Sequence, residues 1–270
     1  MHLILPPSET KRSGGGSVFS AENLAFDREL GKARRSVRTA LVRVSKDEEG
    51  ARAALKLGVK SLGERMHNLA LDTSGAMPAI ERYTGVLYDA LDAPSLGSDE
   101  RGWIDDHVLI QSALFGVIRS RDLIPAYRIS ASSRLASLPT PLGRYWSAAH
   151  GAIDWGAYAD NASVPGDGWI LDLRSLDYAA LAPLPLGLAS YLHVTQRSAD
   201  GEVRALNHFN KAAKGMLVRM LAQSRPQLHS ARQFQEWGAS VGLEIELDPE
   251  SSTVTLVLSE PNSPTATLNQ

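Results

Sequence analysis

A chain of 270 residues with 43% apolar side chains can bury a sizeable core, and no Ser/Pro/Gly-rich linker divides it, so one globular domain over residues 1–270 is expected. The 28 basic and 30 acidic residues leave a formal net charge of −2, and the absence of cysteine excludes disulfides, thiol nucleophiles and thiolate metal sites. No apolar window approaches the roughly 20 residues that cross a bilayer, and the opening "MHLILPPSETK" has neither a basic leader nor a long apolar run, which predicts a soluble protein kept inside the cell, with no membrane partner.

In chain order, "HLILPP" reads as a short buried strand stopped by two prolines, followed by the glycine-rich loop "SETKRSGGGS". From Ala21 to about Leu71 the spacing of apolar residues is helical, with Gly58 of "LKLGVKSLGERM" in a turn between two helical segments. "MPAIERYTGVLYDAL" places Pro78 near a helix start, with Tyr83 and Tyr88 around Gly85. "DERGWIDDHVLIQSALFGVI" predicts a helix leading into one strand from Val108 to Ile118, whose uncharged core suits a strand covered on both faces. Further on, "PLGRYWSAAHGAI" predicts a helix and "GWILDLRS" a second covered strand ending at Arg174 and Ser175.

Two β-rich runs around "SADG" predict an antiparallel hairpin. A helix from about Lys211 to Ala222 follows, then a last hairpin from "LEIELD" and "TVTLVLSE"; the final residues, about 260–270, read as a frayed tail. Hairpins interleaved with helices predict a mixed α/β (α+β) domain, with a mixed or largely antiparallel sheet and surrounding helices, rather than a doubly wound one.

Charge is unevenly placed. After Arg232 the chain carries Glu236, Glu244, Glu246, Asp248, Glu250 and Glu260 but no Lys or Arg, which leaves all 28 basic groups against 24 of the 30 acidic ones in residues 1–232. Within that part, Arg119 to Arg144 contains five Arg and one Asp, a local charge of about +4 that either steers a polyanion or forms an ordinary solvated loop.

Three segments carry candidate chemistry. Arg119, Arg121 and Arg128 present planar donor forks matched to phosphate, beside Tyr127 and Asp122, a residue able to orient an Arg or to act as an acid or base. In "NKAAKGMLVRMLAQ", at about 100° per residue, Lys211, Lys214 and Arg219 fall opposite the apolar face, with Gly215 amid the basic residues. A mid-helix glycine costs roughly 1 kcal/mol against alanine, which is explained if a backbone or a phosphate approaches there. The first loop adds Ser8, Glu9 and Lys11 at a strand end. Walker, His-Glu-x-x-His, Gly-x-Ser-x-Gly and dinucleotide-binding patterns are absent, and the seven His residues are scattered, so neither a metal nor a cofactor is expected.

In this order, "LILPPSETK", "AIERYTGVLYDAL", "ALFGVIRSRDLIPAYRISASSRL", "RYW", "LDLRSLDYAAL" and "HFNKAAKGMLVRML" resemble the peroxide stress response protein YaaA family over roughly residues 2–260. The resemblance implies a cytoplasmic bacterial protein that limits iron-dependent oxidative damage. It also implies an unusual α/β fold with a basic cleft and a helix-hairpin-helix element that binds double-stranded DNA. On this chain that element is "ALKLGVKSLGERM", with Gly58, Val59 and Lys60 at its turn. The motif positions carried over are Ser8, Glu9, Lys11, Arg119, Asp122, Pro125, Tyr127, Arg128, Tyr145, Trp146, Ser175, Tyr178, Lys211, Lys214 and Gly215.

Two functions stand open, beside an iron-binding reading that the resemblance implies and that finds no Cys and no His/carboxylate cluster at ligand spacing in the sequence. One is DNA binding through Lys11, Lys60, Arg119, Arg121, Arg128, Lys211, Lys214 and Gly215, with salt-dependent affinity. The other is an enzyme acting on a nucleotide or nucleobase, with Ser8, Glu9, Asp122, Tyr127 and Lys211 as candidate catalytic groups beside a held phosphate. Both require the cations to gather in one hollow.

Overall fold

Four short segments, buried except at Arg119, form one half of the main sheet: β1 (His2–Leu5), β3 (Val108–Ser112), β4 (Gly116–Arg119) and β6 (Ile170–Asp172). A computed structural model describes residues 1–160, 168–197, 203–204, 207–248 and 250–259. After β1, the first helical layer comprises α1 (Asp27–Ser45), α2 (Glu48–Leu55), a 3-10 turn (Val59–Glu64) and α3 (Arg65–Leu69). The small strand β2 (Met77–Pro78) and helices α4 (Ala79–Arg82), α5 (Val86–Leu91) and α6 (Ser98–His107) lead into β3. Beyond β4 come β5 (Leu123–Ile124), α7 (Leu142–His150), α8 (Trp155–Ala159), β6 and α9 (Leu176–Ala179). The chain continues through β7 (Ala189–Arg197), β8 (Val203–Arg204), α10 (Asn207–Ser224), α11 (Ala231–Ser240), β9 (Glu244–Leu247) and β10 (Thr253–Ser259).

The main sheet has the order β4-β3-β1-β6-β7-β10-β9, with β8 paired to β7, and β2 pairs with β5 apart from it. The mixed α/β class is as expected, but the sheet is not largely antiparallel. The β3-β1-β6-β7-β10 run is parallel throughout, and antiparallel pairing is confined to β3–β4, β7–β8 and β9–β10. The fully buried "HLIL" and "ILD" are what a strand covered on both faces looks like, and such strands belong to parallel centres. The hairpins expected from sequence are real neighbours, but β9–β10 closes one edge of this sheet, and β8 only pairs with the end of β7, an interior strand. The "SADG" turn and the tail lie outside the described residues.

The expected strand Val108–Ile118 is a hairpin. Ser112 Oγ accepts from Leu114 N (3.1 Å) and Phe115 N (3.0 Å), which folds Ala113–Phe115 into a wholly buried turn. Being buried, the turn carries no polar signal. Its one mark is Gly116, at φ +69°, where a Cβ would stand 2.9 Å from the Trp146 ring. Trp146 in turn donates its indole N–H to Ala113 O (2.9 Å), so this family-motif residue is a core support.

The "ALKLGVKSLGERM" segment is α2, a left-handed Lys56, a 3-10 turn and the five-residue α3, in place of two regular helices around a hairpin. Gly58 N donates to Ser61 Oγ (3.0 Å), and Lys60 is exposed. α11 is not among the expected helices, although Ser230 caps it by accepting from Gln233 N (3.2 Å).

Candidate functional site

From β1 the chain crosses to β3 on one side, and β6 later pairs on the other side of β1. In open α/β sheets such a switch point leaves a crevice beyond the carboxyl ends of the strands. Here the crevice is a cleft of about 720 Å³. Pro6–Thr10 after β1, Thr84–Tyr88 at the start of α5, Leu173 and Ser175–Tyr178 after β6, Tyr191 of β7, and Asn210, Lys211 and Lys214 of α10 line it. Five remote segments thus meet, and the sequence-predicted Ser8, Glu9, Ser175, Tyr178, Lys211 and Lys214 are among them.

Lys11 and Arg128 stand beside this cleft. The Lys11 ammonium donates to Ser8 O (2.9 Å) and Glu9 O (3.3 Å) and lies 4.0 Å from the centre of the Tyr127 ring. Burial, aided by the nearby Arg128, lowers its pKa to about 7 against the pull of Glu64 and Glu9. Arg128 pairs with Glu9 (2.6 Å) and Glu64 (3.1 Å), so two carboxylates already occupy the fork expected to receive phosphate. Asn68 fixes its backbone from both sides, donating to Arg128 O (2.9 Å) and accepting from its N–H (2.7 Å).

Beneath Lys11, Ser112, Tyr127 and Tyr83 form a buried hydroxyl chain (2.7 and 2.6 Å). Ser112 Oγ already accepts two backbone N–H groups, so its proton goes to Tyr127 and that of Tyr127 to Tyr83. Desolvation raises the pKa of both tyrosines well above the phenolic range. Tyr127 is therefore a neutral support for Lys11, enclosed within the core rather than open to the cleft.

On the other wall, Lys214 is buried and donates to Leu173 O (2.9 Å), with the Tyr191 ring 5.6 Å from its nitrogen. Desolvation lowers its pKa to about 8, partly offset by Asp172. Asp172 is held by Arg174 through both oxygens (2.8 and 2.6 Å), and Arg174 also donates to Ala182 O (3.0 Å). Lys211, one turn before Lys214, is exposed at the rim. Glu9 and Asp177 balance Lys211 and Lys214 in the lining, so the cleft is not the strongly basic groove expected.

Arg119, Arg121 and Asp122 lie elsewhere. β4 runs back along β3, pairing Arg119 with Leu109 and bringing Ser120 N to Val108 O, at the opposite end of the strands from the cleft. Arg121 reaches Asp106 (3.7 Å) in solvent. Asp122 accepts from Ala25 N (2.8 Å) and Arg119 N (3.0 Å), so this carboxylate ties the β4 end to the α1 approach and is remote from any chemistry in the cleft. Burial raises its pKa against those two N–H groups. Gly215 does not face the cleft as a phosphate seat. A Cβ there would come within 2.1 Å of Leu87 O, so its place is the close packing of α10 on α5. Lys60 is exposed in the 3-10 turn whose Glu64 pairs with Arg128.

The free positive surface is on α1, outside the sites expected from sequence. Arg28, Lys32, Arg35, Arg43 and, at the C-cap, Lys46 are all exposed, and among the described residues none makes an ion pair. At about 100° per residue they fall within roughly 80° of one another, a ridge about 27 Å long. Only Arg38 beside them is matched, by Asp72. The same helical arithmetic applied to "DRELGKARRSVRTALVRVSK" finds it.

The sequence matches the family profile described as peroxide stress protein YaaA over residues 1–246. The chain belongs to the peroxide stress protein YaaA family. Among its relatives, a UPF0246 protein of Corynebacterium glutamicum is 37% identical over 264 residues, covering 96% of this chain and 100% of the relative. A UPF0246 protein of Streptomyces coelicolor is 38% identical over 251 residues, 92% of this chain and 93% of its own. One from Lactobacillus delbrueckii subsp. bulgaricus is 26% identical over 243 residues, 88% of this chain and 92% of its own. Among the described residues of this family member, no helix is long and apolar enough to cross a membrane, and no three His, Cys, Asp or Glu side chains are grouped to hold a metal ion.

Proposed function

We propose that this YaaA family protein acts in peroxide stress by binding double-stranded DNA in the cytoplasm, with the α1 ridge laid along the phosphate backbone. The observation that carries the reading is the row of five exposed, unmatched cations on α1. Duplex DNA presents one charge per about 1.7 Å of axis, so a ridge of this length meets several phosphates without reading bases. Protection against iron-dependent damage follows, in this reading, from covering the DNA. A filter-binding titration at two salt concentrations tests it. Lys32→Glu/Arg35→Glu/Arg43→Glu should weaken binding and lower the salt slope by about 0.9 for each phosphate no longer neutralised. An affinity and slope equal to wild type would refute the ridge as the interface.

A second reading, an enzyme acting on a nucleotide or nucleobase, is favoured by the cleft. Its volume of about 720 Å³ is in the range of small-ligand sites, and it contains a desolvated amine at a strand-end switch point. Incubation with nucleotides and damaged oligonucleotides, read by mass spectrometry, tests it. A released base or altered sugar that disappears with Lys211→Ala supports it, and no product from any of them counts against it.

A further inference from the structure

Lys214 is 6% exposed yet lines the cleft, and among the described residues only one of its three donors has a protein acceptor, Leu173 O at 2.9 Å. The carboxylate whose charge acts on it, Asp172, is already held by Arg174 through both oxygens, and no ion pair joins it to Lys214. The other ionisable groups of the lining are Glu9, Tyr88, Asp177, Tyr178, Tyr191 and Lys211. Of these, Lys211 stands one helical turn away, about 5 Å along the axis, exposed at the mouth with the hydroxyls of Ser8, Thr10 and Ser175 nearby in the lining. A buried amine with a single acceptor, next to an exposed cation and several hydroxyls, suits a ligand with an electrophilic carbon at one end and an anion at the other.

We infer that the Lys214 amine is a nucleophile that condenses with the aldehyde of a phosphorylated sugar bound in the cleft, its phosphate held at Lys211. Burial favours the neutral amine near pH 8, the form that attacks. The ammonium first gives a proton to water. The nitrogen lone pair then forms a bond to the carbonyl carbon, and the carbonyl oxygen takes up a proton to give a carbinolamine. Loss of that oxygen as water leaves the imine, so one aldehyde and one amine yield one imine and one water, with no oxidant or reductant. The same chemistry serves a free sugar phosphate or the ring-opened deoxyribose of an abasic nucleotide. The inference rests on the cleft reading above, and the two sources separate in the test.

The full chain is incubated with 2-deoxyribose 5-phosphate and sodium cyanoborohydride, which adds hydride to the imine carbon and fixes it as a secondary amine, and the modified lysines are mapped by peptide mass spectrometry. In parallel, a duplex oligonucleotide with an abasic site is trapped with sodium borohydride. The sugar phosphate is expected to label Lys214 at least tenfold ahead of exposed Lys32, Lys46 and Lys60, with labelling that persists at a lower pH than theirs. Lys214→Arg, checked by thermal melting, should abolish this adduct. Trapping of the oligonucleotide on Lys214 identifies the abasic nucleotide as the source. Trapping of the sugar phosphate alone upholds the amine while removing nucleic acid from the cleft. Labelling no greater at Lys214 than at the exposed lysines, or undiminished total labelling in a folded Lys214→Arg, overturns the inference.

Discussion

The cleft and the α1 ridge both hold cations, and they use them in opposite ways. Around the cleft the cations other than Lys211 are buried or matched: Arg128 by Glu9 and Glu64, Arg174 by Asp172, Lys11 and Lys214 by backbone carbonyls. On the ridge five exposed cations form no ion pair among the described residues. A long-range field comes from unmatched charge, whereas tuned protonation comes from desolvated charge. The ridge is therefore suited to attracting a polyanion, and the cleft to positioning a small ligand and holding an amine neutral.

Substitutions that exchange these roles sharpen the contrast. Arg174→Leu leaves Asp172 charged, buried and without its partner, and should cost about 3–5 kcal/mol in urea unfolding. Gly215→Ala drives a Cβ toward Leu87 O and forces α10 off α5, an overpacking cost of about 1–3 kcal/mol by the same measurement. The ridge triple reversal should stay within roughly 0.5 kcal/mol per site, because exposed unpaired side chains contribute little to stability. If Arg174→Leu were as mild as the ridge variants, the distinction between structural and free cations would fail.

Protonation gives a smaller effect with a definite sign. The folded chain holds Lys11 with a pKa of about 7, below its ordinary 10.5, so between those values the unfolded chain binds more protons. Stability should therefore rise with pH from about 7 toward 9.5, before the tyrosines titrate, and level off below about 7, where both states hold the proton. Lys11→Met should flatten that rise in urea midpoints measured across the window. A slope unchanged by the substitution would show that Lys11 is not desolvated as described.

The contributors to the cleft are legible where a polar residue comes three positions after a covered strand, as Ser8 does after β1 and Ser175 after β6. Lys211 and Lys214 are legible from helix spacing, but the role of Gly215 directly after them is not, since only the packing of α5 explains it. Arg119, Arg121 and Asp122 mislead because the uncharged run Val108–Ile118 reads as one strand. A buried turn at Ala113–Phe115 reverses the chain and carries that basic cluster to the far end of the sheet. The parallel centre is hidden for a related reason, since β1, β3 and β6 are only three to five residues long, while the hairpin strands β9 and β10 alternate visibly.

The division of labour is tested most directly by the salt dependence of duplex DNA affinity, measured side by side for wild type, the α1 triple reversal and Lys211→Glu. The account predicts that the triple reversal lowers the log–log slope by roughly two to three units while Lys211→Glu changes it by at most about one. A slope that collapses with Lys211→Glu and is untouched by the α1 reversal would contradict it.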